Sequence, residues 1–352
     1  MPYAPEATMS GTTQWPSGRQ NLWLHSKHWD LCYITGSSLL VLFPLVLYEV
    51  FGESATFINL VVAGVVGGPH MYATFFRTLL DQSFRHGAWH ILLSTCAVPL
   101  LVVVCALWNF PLLITGFFFW ASIHVLHQIA YILVCYDYQQ PAPPQRWSRY
   151  IDYAVIFSSL YPFASYRFIH DEFYIGETLL LYPAFLKTPI VCYASAGFFG
   201  LALVCFLYKT FRQIVQGTAH YPKLSLMAVT IVTALFITSY SGPKLEIAFQ
   251  GFNTWHSVQY LALTWHINTR RRQRGEITSH FLRWLAEPRV SRFGVFYGLN
   301  VVLTGGALLL IGLLFRFSAL PYERCYYIVV LSFLLVHYCH DHVLFSQFKA
   351  CQ

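Results

Sequence analysis

Long apolar stretches, broken by short polar ones, run through the sequence from residue 31 to residue 345. A helix that crosses a bilayer needs about 20 mainly apolar residues. Ten stretches meet or approach that length: 31–51, 56–76, 89–108, 111–136, 151–166, 190–208, 224–240, 246–267, 294–315 and 325–345. The fifth is short. The eighth carries Glu246, Gln250, Asn253, Gln259 and Tyr260 at helical spacing, a polar stripe that a strict hydropathy cut would reject and that must face protein or a cavity rather than lipid. In the second, Gly67-Gly68-Pro69 stands just before His70 and is expected to loosen the helix and free backbone carbonyls. The pattern predicts an all-α protein, a polytopic membrane helical bundle of about ten transmembrane helices.

Charge orients that bundle. With the N-terminus inside, 17 of the 22 Lys and Arg residues fall on the inner side and five on the outer side. Lys and Arg are enriched in cytoplasmic loops, so both termini are expected to be cytoplasmic. Residues 1–30 then form a cytoplasmic N-terminal segment without the apolar run and small-residue cleavage site of a signal peptide. Residues 31–352 form a single membrane-embedded catalytic domain, and a bacterial inner (cytoplasmic) membrane is its expected location. Composition agrees: 56% of residues are hydrophobic and 11% charged, where a soluble domain carries about 25% charged. The net charge of +7 resides in the loops and offers no separate basic face, so nucleic-acid binding is not expected. The nine cysteines include no CxxC pair, which argues against a disulfide framework or a zinc finger.

Histidine changes the picture most. There are 15, and ionisable groups inside a membrane usually line a cavity, a relay or a metal site. His86/His90 are spaced i, i+4; His124/His127 and His337/His340 are spaced i, i+3, so the members of each pair share a helix face. His70, His256, His266 and His342 are expected at similar depth, between the mid-plane and the cytoplasmic surface. The candidate metal ligands are therefore His70, His86, His90, His124, His127, His256, His266, His337, His340 and His342. Gln128, Asp341, Gln259 and Asn253 are placed to support them.

These pairs read HxxxH (His86–His90), HxxHQ (His124–Gln128) and HxxHD (His337–Asp341). In order and spacing they resemble the HxxxH, HxxHH and HxxHH boxes of the membrane fatty-acid desaturases, alkane hydroxylases and related non-haem di-iron enzymes. A looser likeness, carried by Gly68-Pro69-His70, is to the bacterial Brp/Blh carotene dioxygenases. The likeness covers some 15 residues, and Gln128 and Asp341 stand where the boxes end in histidine. It implies an integral membrane oxidoreductase that binds two irons and uses O2 to desaturate, hydroxylate or cleave a lipophilic substrate.

Imidazole suits iron, copper, zinc and nickel, so copper, zinc or haem are the alternative cofactors. A haem-binding electron-transfer protein and a metal or proton transporter are the rival functions. The sequence holds no dinucleotide-binding glycine motif. A separate electron donor, if one is used, would dock on the arginines at Arg270–Arg274, which equally suit anionic membrane lipids.

Overall fold

The computed structural model describes residues 22–52, 55–81, 89–140 and 144–345, with backbone alone at 55, 56, 90 and 243. Among them the regular structure is helical apart from one small hairpin. In chain order, α1 covers Lys27–Phe51 and α2 Phe57–Thr78. They are followed by α3 (Trp89–Trp108), α4 (Phe110–Tyr138), α5 (Arg146–Ser158) and α6 (Tyr161–His170). Strands β1 (Tyr174–Ile175) and β2 (Thr178–Leu179) pair antiparallel. Then come α7 (Pro189–Val215), α8 (Tyr221–Ser239), α9 (Pro243–Gln273), α10 (His280–Leu285), α11 (Val290–Phe317) and α12 (Tyr322–Phe345).

Eight of these helices are long and apolar enough to cross a membrane: α1 to α4, α7, α8, α11 and α12. The other two expected spans are the short one and the polar one. The first is divided: α5 stops at Ser158 and α6 restarts at Tyr161 with Pro162 in its first turn, where a missing N–H costs least. The second lies in α9, whose 31 residues reach roughly 46 Å at helical rise. Its length suffices to cross, and its polar stripe lowers its hydropathy.

That stripe is tolerated because α9 stands in the middle, packed against α1, α2, α4 and α8. Its Phe252, Trp255 and Tyr260 are fully buried. A side chain at Gly251 would strike the Val41 carbonyl of α1, and one at Gly68 of α2 would strike Thr304 of α11, so both glycines permit close helix approach. Around this centre the helices divide. In α2, α4 and α12, 56–61% of the most apolar window is buried inside the protein, against 11–17% in α3, α7 and α11. The rim helices instead expose Leu100, Leu101, Ile190, Tyr193, Val302 and Leu309, the surface a lipid environment requires.

Two helices depart from regular α geometry. In α2 a π-turn spans Ala63–Gly67, just ahead of Gly68-Pro69-His70, and the Val65 carbonyl accepts from Tyr297 of α11 at 2.5 Å. In α1 a π-turn spans Asp30–Thr35, and the Ile34 carbonyl accepts from Trp255 Nε1 (3.3 Å) and Gln259 Nε2 (2.5 Å) of α9. Loosened turns of this kind recur at functional sites.

Polar groups tie both ends. At the end where the chain's arginines concentrate, Asp137 binds Arg149 (3.2 Å) and Lys223 (2.5 Å). Asp152 there binds Lys223 (2.7 Å) and Lys209, joining α4, α5, α7 and α8. At the opposite end the hairpin turns at Gly176, which has φ +60°. Its N–H donates to Glu246 Oε2 (3.2 Å) of α9. Glu323 Oε1 of α12 accepts from the Glu177 N–H (3.0 Å) and Thr178 Oγ1 (3.2 Å). Among the described residues seven cysteines are free thiols, and Cys135 is disulfide-bonded.

Candidate metal centre

Four buried histidines meet in the centre, one from each of four helices: His70 (α2), His124 (α4), His256 (α9) and His337 (α12). Their rings follow one another around a closed circuit, with centroids 5.2 Å apart from His70 to His256 and 5.1 Å from His256 to His124. The circuit closes at 5.2 Å from His124 to His337 and 4.9 Å from His337 to His70. Asp341, one helical turn beyond His337, brings its Oδ2 to 3.5 Å from His337 Nε2 and 3.7 Å from His124 Nε2.

Hydrogen bonds fix which nitrogen two of the rings present. His70 Nδ1 lies 2.9 Å from Ser257 Oγ, and His337 Nδ1 lies 2.6 Å from Thr74 Oγ1. Thr74 Oγ1 also meets Tyr260 Oη (2.5 Å) and donates to Asp341 Oδ1 (3.1 Å), which accepts from Tyr260 Oη as well (2.6 Å). His124 is stacked on Tyr338 at 3.8 Å. What remains is a set of atoms with no hydrogen-bond partner: Nε2 of His70, His124, His256 and His337, Nδ1 of His256, and Oδ2 of Asp341. A buried polar atom left unsatisfied costs on the order of 1–3 kcal/mol, so such a concentration calls for a shared partner.

A metal ion fits that demand. The donor atoms form two sets, His70/His256/His337 and His124/His337/Asp341, each within 4.8 Å of one another. An imidazole bound at about 2.1 Å has its ring centroid roughly 3.2 Å from the ion, so two rings at right or tetrahedral angles stand about 4.6–5.3 Å apart. All four distances around the circuit fall in that range.

The other expected residues stand elsewhere. His127 is half-buried and faces the exposed His342, centroids 5.8 Å apart. His340 is buried, but its nitrogens meet Thr78 Oγ1 (3.0 Å), Thr95 Oγ1 (3.3 Å) and the Ile91 carbonyl (3.3 Å). His266 packs on His25 and Trp29 at the start of α1. His86 lies outside the described residues, as does the side chain of His90 on α3. Gln128 donates to the His256 carbonyl (3.1 Å) and to Gln259 Oε1 (3.2 Å); with Gln259 on Ile34, the two amides clamp the backbone of α9. Among the arginines, Arg271 is buried on Asp81 (2.7 Å) and Arg274 pairs with Glu276 (2.7 Å). Thr74 and Ser257 were not foreseen. Their signal was a hydroxyl one turn from His70 and another next to His256.

A cavity of about 160 Å³, measured by the space open to the centre of a water-sized sphere, runs from His70 toward the hairpin. Phe118, Tyr72, Leu331 and Tyr338 line it, Asn253 stands on its wall, and residues 172–175 cover its far end. Across Tyr338, a more open recess holds His124, His127, His340 and His342. No family model, curated protein or solved structure matches this chain.

Proposed function

We propose that this multi-pass membrane protein is a metal-dependent oxygenase. A single iron ion would be held by His70, His124, His256 and His337, with Asp341 beside them, and a lipophilic substrate would enter the adjoining cavity. The observation that supports this is the group of four converging rings whose Nε2 atoms have no hydrogen-bond partner, one of which, His70, lines a mostly apolar cavity. Catalytic zinc takes three protein ligands and leaves a position open. Four imidazoles and a carboxylate exceed that, whereas an ion accepting six ligands retains a place for O2. Iron bound there would supply activation of O2 toward an otherwise unreactive C–H or C=C bond.

The chain's own residues prepare that chemistry. Ser257 and Thr74 engage the Nδ1 atoms of His70 and His337 and so direct Nε2 lone pairs inward. Tyr260 and Thr74 orient Asp341, whose carboxylate would offset the charge of a bound ion in this buried site. The aromatic walls exclude solvent and seat an apolar chain. The two donor sets share His337, and a single ion between them is the simplest occupant, against the pair implied by the di-iron likeness. Elemental analysis of protein purified from iron-replete cells should find about one iron per chain, lost in H256A and kept in H127A. Stoichiometric zinc, or iron retained by H256A, would refute the reading.

A further inference from the structure

The end of the cavity farthest from His70 is polar in a specific way. Glu246, Gln250 and Asn253 follow one another at i, i+4 and i+7 along one wall. Asn59 of α2 faces the first of them, its Nδ2 donating to Glu246 Oε1 at 3.1 Å. One of the two Asn59 amide hydrogens is thus engaged, while its Oδ1 is buried with no partner. An acceptor beside a carboxylate calls for a donor. No Lys or Arg is found among the described residues lining the cavity, so an anionic head group would meet Glu246 uncompensated. A pure hydrocarbon would leave Asn59 Oδ1 unsatisfied, at a cost comparable to a lost hydrogen bond.

We infer that the cavity binds a long-chain neutral lipid with a terminal hydroxyl. The hydroxyl donates to Asn59 Oδ1 beside Glu246, and the chain extends toward His70. This assignment deepens the oxygenase reading, and only its second half, the position of attack, rests on it. Glu246 and His256 are ten residues apart on α9, or roughly 15 Å at helical rise. An extended chain advances about 1.2 Å per bond. Allowing for the contacts at either end, the carbon offered to the metal centre lies on the order of ten bonds from the hydroxyl.

Binding of tritiated hexadecan-1-ol to the full-length protein in nanodiscs tests this, with hexadecyl methyl ether, hexadecane and hexadecanoate as competitors. The alcohol should bind at least ten-fold more tightly than the ether, the alkane or the acid. Asn59→Leu should bring alcohol and ether within two-fold of each other with metal content unchanged. Equal binding of ether and alcohol, a preference that survives in N59L, or no saturable binding at all would overturn the inference. If N59L does not fold, the wild-type competitor series decides alone. An alcohol preference that persists in H256A would support the binding site whatever becomes of the oxygenase reading.

Discussion

Thr74 is the residue on which the centre's order converges, because one hydroxyl meets His337, Asp341 and Tyr260 together. Valine has the same shape but leaves all three without that partner. T74V is therefore expected to lower metal affinity 10–100-fold in chelator competition, while T74S stays near wild type. The sequence made the histidines visible but not their grouping. Spacing of i, i+3 puts two rings on one face, yet those rings still diverge by about 60° around the helix. Among the described paired residues His124 and His337 turn inward, and their companions His127 and His340 pack sideways. Convergence was a property of four helices at once, so His70 and His256, each alone on its helix face, reveal themselves only when the helices are assembled.

At the scale of the element, α8 begins on an unusual cap. His220 Nδ1 accepts from the Lys223 N–H at 3.3 Å, and burial, with the Lys223 ammonium adding to it, lowers the His220 pKa to about 4. The unfolded chain titrates near 6.5, so below that pH it binds a proton that the folded chain refuses. The stability contributed is present above about pH 6.5 and is lost as pH falls through 4. Thermal unfolding should show this loss between pH 6.5 and 4 in the wild type and much less of it in H220N, which keeps a capping group. Close helix approach makes a second contrast. G251A drives a methyl into the Val41 carbonyl and should cost on the order of 1–3 kcal/mol. G306A meets open space and should gain up to about 1 kcal/mol, with unfolding midpoints moving in opposite directions. Span positions were largely legible from apolar length. The split between α5 and α6 was not, because it depends on how Ser159 and Leu160 turn within the bundle rather than on composition.

For the molecule as a whole, the ion network at the arginine-rich end holds four helices together. Lys223 lies between Asp137 and Asp152, so K223M takes one of two cations from each buried carboxylate, leaving Arg149 and Lys209 in place, and should cost about 1–3 kcal/mol. Lys244 pairs with Glu49 in the open, where solvent screens the pair, and K244M should leave the inactivation midpoint near that of wild type. Both are read from thermal inactivation in detergent. The charge asymmetry that the sequence displays predicts cytoplasmic termini, and reporter fusions at either end should be active only in the cytoplasm; an external C-terminus would overturn the orientation. The division into a buried centre and an apolar rim has a further result. The four clustered histidines sit on helices more deeply buried than α3, α7 and α11, whose apolar side chains face outward. A thinner or thicker bilayer should therefore be accommodated by tilting of the outer helices, leaving the spacing of the four imidazoles, and so metal retention, indifferent to acyl-chain length.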